Sequence, residues 1–134
     1  MKLAIIGYSK MGRLIEQLAP EYDFTIHPRI DVNDDCRQAA DADVAVEFTV
    51  PDAVAGNVEK LAAAGLRVVV GTTAWMAQLD RVRAAVKQPD TALLWSPNFS
   101  IGVNVFFRLA REAARLLANE PQYGPARSAP VAFA

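Results

Sequence analysis

Gly7, Ser9 and Gly12 stand at the spacing Gly-x-Ser-x-x-Gly. They directly follow the apolar run Leu3-Ala4-Ile5-Ile6 and open an apolar pattern of helical period at Met11, Leu14, Ile15 and Leu18. A strand that feeds a tight glycine turn and then a helix aims backbone N–H groups and the positive end of a helix dipole at one point, which suits a pyrophosphate. The chemistry implied is dinucleotide binding, with the backbone from Gly7 through Tyr8, Ser9, Lys10 and Met11 to Gly12 as the phosphate cradle. Serine replaces the middle glycine, where backbone normally approaches the pyrophosphate closely. It is the smallest polar substitute, and its hydroxyl can donate to phosphate. A glycine turn that merely joins strand to helix is the alternative reading of the same residues.

Three further clusters follow strand-like runs. Glu47-Phe48-Thr49, Gly71-Thr72-Thr73 and Ser96-Pro97-Asn98-Phe99-Ser100 each begin where an apolar run ends. In open α/β sheets, ligands bind outside the carboxyl ends of the strands. Small hydroxyl residues and backbone N–H groups there suit a nicotinamide ring and its amide. Asp31, just past a weaker strand signal, can accept hydrogen bonds from adenosine ribose hydroxyls. Arg29 beside it can instead meet a 2′-phosphate, so the choice between NADH and NADPH stays open. The lone His27 reads as a structural histidine, Trp75 and Trp95 as packing residues, and the lone Cys36 as an ordinary free thiol with no partner for an intrachain disulfide.

The elements that must position these groups alternate along the chain. Strands are expected at 3–6, 24–26, 44–48, 67–70 and 92–95, mostly as continuous apolar runs of the kind covered on both faces. Helices are expected between them. The first carries the Met11, Leu14, Ile15 and Leu18 face and stops at Pro20. The second starts at Pro51, buries Val54, Val58 and Leu61, and ends at Gly65. A third forms around Leu79, Val82 and Val86. A long fourth spans about 103–119, with Phe106, Leu109, Ala110, Ala113, Leu116 and Leu117 as its stripe. Residues 31–43 read as a loop or a single turn, and 121–134 as coil broken by Pro121, Gly124, Pro125 and Pro130. The pattern predicts an α/β fold, a Rossmann-like doubly wound parallel sheet. The chain has 134 residues, within the usual single-domain range of roughly 100–150. Its net charge of −1 makes no electrostatic case for nucleic acid. No apolar run approaches the ~20 residues that span a bilayer, and the first strand is too short for a signal peptide. A cytoplasmic protein is expected.

Taken together, the Gly7–Gly12 turn, Glu47-Phe48-Thr49 with Pro51, Gly71-Thr72-Thr73-Ala74-Trp75-Met76 and the stretch from Ser96 to Asn104 closely resemble the amino-terminal domain of the 4-hydroxy-tetrahydrodipicolinate reductase (dihydrodipicolinate reductase) family. The most specific piece is Asn98-Phe99-Ser100-Ile101-Gly102-Val103-Asn104. The resemblance covers about 1–123, which is expected to be the NAD(P)-binding domain, with 124–134 an irregular tail. It implies reduction of a cyclic dienoic-acid precursor with NADH or NADPH, in the diaminopimelate route to lysine. It also implies that Tyr8 to Gly12 hold pyrophosphate, that Asp31 touches the ribose, and that Gly71 to Thr73 and Ser96 to Phe99 frame the nicotinamide. Ser9 and Ala74 stand where the family has glycine. The family's second domain, with its His-His pair, Lys and Ser-Gly-Thr segment, has no counterpart in this sequence. The resemblance stops after Tyr123, which leads to the expectation of a truncation or a change of reading frame there. The expected object is thus a cofactor-binding domain that does not turn over by itself, with self-association through an apolar stripe on the last helix. A non-catalytic nucleotide-binding or partner module is the alternative.

Overall fold

A computed structural model of the chain describes residues 1–31, 33–87 and 91–118. They fall into two compact units, one from Met1 to Pro97 and a second beginning at Asn98. In the first unit strand and helix alternate: β1 (Lys2–Ile6), α1 (Lys10–Leu18), β2 (Thr25–Ile30), β3 (Val44–Glu47), α2 (Pro51–Ala63), β4 (Arg67–Val70), α3 (Leu79–Ala85) and β5 (Ala92–Trp95). Short 3-10 turns occupy Ala19–Tyr22, Cys36–Asp41 and Met76–Gln78. The second unit contributes α4 (Ile101–Leu117).

The five strands form one parallel sheet in the order β2-β1-β3-β4-β5. The expected Rossmann-like sheet is therefore present. The chain builds outward from β1 to β2, then returns to the other side of β1 for β3. Such a reversal opens a crevice between the carboxyl ends of the two strands flanking it.

Strand side chains alternate between faces, and the main core lies on one of them. Ala4 and Ile6 of β1 join Ala45, Val68 and Val70 in a core closed by Val54, Ala55, Val58 and Leu61 of α2, Val82 of α3, and Trp75. Leu3 and Ile5 are buried on the opposite face. There α1 comes close enough that a Cβ on Gly12 would stand 3.0 Å from Ile5 Cγ2. The continuous apolar run of β1 follows from burial on both of its sides, whereas Leu94 of β5 stays 58% exposed. Arg81 links α3 to α2 through a two-pronged ion pair with Glu59, at 2.6 Å for each hydrogen bond. Trp75 and Trp95 meet edge to face, 5.7 Å between centroids, as packing residues.

Three details depart from the sequence reading. The second strand is longer than expected, running to Ile30 through Pro28. A proline without an N–H is tolerated because β2 is an edge strand. The segment read as loop or single turn contains a six-residue 3-10 helix, Cys36–Asp41, whose N-cap Asp35 accepts from the Arg37 N–H and which buries Cys36 and Ala39. The apolar face assigned to α1 is not a core face: Met11, Leu14 and Leu18 stay 41–45% exposed, and only Gly12 of this helix is buried. Among the described residues, no helix is long and apolar enough to cross a membrane. The coil expected at 121–134 and the break expected after Tyr123 lie outside the described residues, as does the expected end of the last helix at 119.

Candidate functional site

Strand register places the candidate groups. Ile30 pairs with Ile6, Ile6 with Glu47, Glu47 with Val70, and Val70 with Trp95, so one row crosses the carboxyl edge of the sheet. The residues one step past that row are Asp31, Gly7, Phe48, Gly71 and Ser96. Backbone hydrogen bonds carry the ladder one step further: Gly7 N–H to the Ile30 carbonyl at 2.8 Å, Phe48 N–H to Ile6 at 2.8 Å, and Gly71 N–H to Glu47 at 2.9 Å.

The glycines are required by close approach. Gly7 has φ +95°, and a Cβ there would lie 2.4 Å from the Phe48 carbonyl oxygen. A Cβ on Gly12 would lie 2.5 Å from the Gly7 carbonyl oxygen. One on Gly71 would overlap the Phe48 ring, 2.0 Å from its nearest carbon. Ser9 departs from the glycine pattern without strain, because its φ of −92° lies where any residue is comfortable. It is the N-cap of α1, yet its hydroxyl makes no capping hydrogen bond. The N–H groups of Lys10, Met11 and Gly12 precede the first intrahelical bond, from Arg13 N–H to the Ser9 carbonyl at 3.1 Å. They form the positive end of the helix dipole.

Ser9 and Met11 from the turn, Phe48, Thr49 and Pro51 after β3, and Gly71, Thr72 and Thr73 after β4 line one open cleft of about 290 Å³. A second open depression of about 610 Å³, which shares Ser9 and Met11 with the first, continues along α1 past Lys10, Arg13, Leu14 and Gln17. The half-exposed Met11 and Leu14 thus face these openings instead of the core. Beneath the cleft lies Glu47, fully buried. Its carboxylate accepts from the Thr72 hydroxyl at 2.7 Å, from Asn57 Nδ2 at 3.3 Å, and from the Thr49 hydroxyl. Asn57 in turn accepts from the Cys36 thiol at 3.2 Å. Burial raises the Cys36 thiol pKa above its ordinary value, so it is a neutral donor here. In the sequence Glu47 stands out only as the first residue of a strand-end cluster, with no role of its own, and Asn57 does not stand out at all. The available signal was a lone acid at the end of the otherwise apolar strand Val44–Glu47.

Past β2, Asp31 is exposed and its N–H donates to Asp34 Oδ2 at 2.9 Å. Arg29 does not turn toward it. Its guanidinium and the Tyr8 hydroxyl both donate to Glu16 on α1. The Arg29 hydrogen bond, then that from Tyr8, holds the Glu16 carboxyl below its ordinary pKa, while the bond to Glu16 pushes the Tyr8 phenol up. The Arg13 and Arg29 guanidinium carbons lie 5.7 and 6.0 Å from the Tyr8 ring centroid, at cation–π distance. Glu16 is a second residue that the motif reading missed, because its partners come from two other elements.

Ser96 and Pro97 follow β5 in the first unit, whereas Asn98 and Phe99 belong to the second. Within that unit, Asn98, Ser100 and Asn104 start α4. Ser100 N–H donates to Asn98 Oδ1 at 2.7 Å, and Val103 N–H to Ser100 Oγ at 3.4 Å. Asn104 Nδ2 donates to both the Asn98 and Ser100 carbonyls at 2.9 Å. Nothing else within this described unit buries the stripe of α4. Ala74, expected to occupy a glycine position, does adopt φ +61°. His27 lies exposed on β2. Among the described residues, no three His, Cys, Asp or Glu side chains are grouped to hold a metal.

The family model described as dihydrodipicolinate reductase, N-terminus, matches residues 1–99. A 4-hydroxy-tetrahydrodipicolinate reductase from Christiangramia forsetii is 34% identical over 125 residues, 92% of this chain and 52% of that protein. One from Archaeoglobus fulgidus is 32% identical over 137 residues, 87% of this chain and 53% of that protein. The chain thus spans about half the length of these relatives. Among solved structures, an aspartate dehydrogenase from Thermotoga maritima is similar in fold, with a TM-score of 0.58 at 16% identity, over 83% of this chain and 52% of that one.

Proposed function

This chain belongs to the dihydrodipicolinate reductase family, as its amino-terminal domain, and we propose that the rim past β1, β3 and β4 binds the nicotinamide dinucleotide NADH or NADPH. The observation that supports this most is the cleft shared by the glycine turn and the loops after β3 and β4. The cradle fits the group. At both Gly7 and Gly12 a Cβ would collide with backbone, so the turn lies bare beside three N–H groups at a helix N-terminus. A pyrophosphate needs that arrangement.

In this reading the backbone of Gly7, Tyr8, Ser9, Lys10, Met11 and Gly12 holds pyrophosphate, with the Lys10 ammonium adding charge. Asp31 accepts from the adenosine ribose. Phe48, Gly71, Thr72 and Thr73 receive the nicotinamide, with Ser96 and Pro97 of the same unit completing its frame. A bound nicotinamide supplies a hydride. The Phe48 ring, packed over Gly71, gives that end of the cleft an apolar wall that excludes water. Because Glu16 already neutralises Arg29, NADH is proposed as the tighter ligand, with NADPH second.

The proposed role of the whole protein is reduction of 4-hydroxy-tetrahydrodipicolinate in lysine biosynthesis through diaminopimelate, in the cytoplasm. These 134 residues hold one histidine, on the exposed edge of β2. Hydride acceptance by substrate needs a positioned proton donor, and the described residues that line the cleft include no His, Lys, Asp or Glu. Turnover by these residues alone is therefore proposed to be absent, and the apolar stripe of α4 is proposed as a surface for self-association. Titration of the purified chain into NADH, followed by nicotinamide fluorescence, tests the cofactor reading. A saturable change supports it, and a flat titration beside an intact circular dichroism spectrum overturns it.

A further inference from the structure

Glu47 is a fully buried carboxylate in the middle strand of the sheet, and no ion pair among the described residues includes it. It does not line the cleft; the two threonines that donate to it do. Burying an ionised carboxylate is costly unless its oxygens are hydrogen-bonded. Here both are engaged, Oε2 by Thr72 and Oε1 by Thr49 and Asn57.

In each of these three hydrogen bonds the Glu47 carboxyl is the acceptor. It therefore dictates which way the hydroxyls on it turn: each O–H proton points inward to Glu47, leaving the threonine oxygen with lone pairs alone for any other partner. We propose that Glu47 is a positioning residue that sets the hydrogen-bond polarity of the nicotinamide end of the cleft, making Thr49 and Thr72 acceptors for a ligand N–H. The inference deepens the dinucleotide reading and rests on it. The ligand group that fits is a carboxamide NH2. A ring bearing an acetyl group at that position has a methyl in place of the donor and is disfavoured. Asn57 buttresses the arrangement: its Nδ2 lies 3.3 Å from Glu47 and 3.4 Å from Thr49 Oγ1, and its Oδ1 is held by Cys36.

Calorimetric titration of the full chain with NADH, with the reduced 3-acetylpyridine analogue and with ADP-ribose tests this. The wild type is expected to prefer NADH over the analogue by about tenfold, the worth of one net hydrogen bond. In Glu47→Gln the side-chain amide donates toward at least one threonine and turns its hydroxyl round. The preference should fall to about twofold or less, while ADP-ribose binding is unchanged. Thr72→Val, which keeps the buried acid, provides the second variant should Glu47→Gln fail to fold, and is expected to lower the preference likewise. A wild type that binds NADH and the analogue equally overturns the inference, as do folded variants that keep the full preference. In both cases ADP-ribose binding leaves the dinucleotide site standing. A folded wild type that binds none of the three ligands overturns the dinucleotide reading itself, and the inference with it.

Discussion

Gly7 and Phe48 approach so closely that a Cβ on residue 7 would stand 2.4 Å from the Phe48 carbonyl oxygen. The first turn of the chain is thereby pressed onto the end of β3, across the reversal point of the sheet. Gly7→Ala adds both a left-handed backbone penalty at φ +95° and a clash with backbone that cannot rotate away. A loss of about 2–6 kcal/mol in urea unfolding is expected, the sum of one strained residue and one overpacked contact. A loss under about 0.5 kcal/mol would contradict that geometry.

Ala74 holds φ +61° just after the threonine loop. An L-residue there pays roughly 1–2 kcal/mol, partly offset by the greater unfolded-state entropy of glycine, about 0.5–1 kcal/mol. Ala74→Gly is therefore expected to stabilise the chain by up to about 1 kcal/mol. Thermal melts of the two forms under one condition check the sign. A lower melting temperature in the variant would mean that the alanine methyl is held by packing.

Glu16 is placed to decide between the two cofactors by occupying Arg29. Glu16→Gln removes the carboxylate and leaves the Arg29 guanidinium available for a 2′-phosphate, a strong charge-assisted partner. The ratio of NADPH to NADH affinity should rise by about tenfold, read by parallel titrations. An unchanged ratio would show that the 2′ position of the ribose lies elsewhere.

Asp35 caps the 3-10 helix Cys36–Asp41, and its hydrogen bonds from the Arg37 side chain and N–H lower its pKa from 3.8 to about 2. A carboxyl favoured as the anion in the folded state adds stability that is complete above its unfolded pKa and is lost as pH falls through the folded one. The difference in melting temperature between wild type and Asp35→Asn should therefore be constant above about pH 5 and shrink between pH 3.8 and about 2. A difference that does not change with pH would place the effect in packing.

Much of the fold was legible because it depends on local rules. Arg67–Val70 and Ala92–Trp95 read as strands from apolar continuity and end where expected. Pro51 begins α2, and Gly65 follows it at φ +79°. The second strand outruns its weak apolar signal at 24–26 because Pro28 is tolerated at the sheet margin, a position known only from the strand order. The face of α1 misled for a related reason. Its spacing is that of a buried stripe, but spacing does not say which side of a helix meets the sheet. The close contact is made by Gly12, a residue with no side chain to count as apolar.

What the sequence by itself determined is the alternating α/β plan, the bare glycine turn and the three loops that follow strands, since periodicity, φ limits and turn chemistry act between near neighbours. Only the tertiary structure decided the strand order, the shared cleft, the capture of Arg29 by Glu16 and the enclosure of Glu47. Each of those joins residues from separate elements, as Thr72 reaches Glu47 across two adjacent strands. A hydrogen bond of that kind exists only once the register of the sheet has brought donor and acceptor within 3 Å or so of each other.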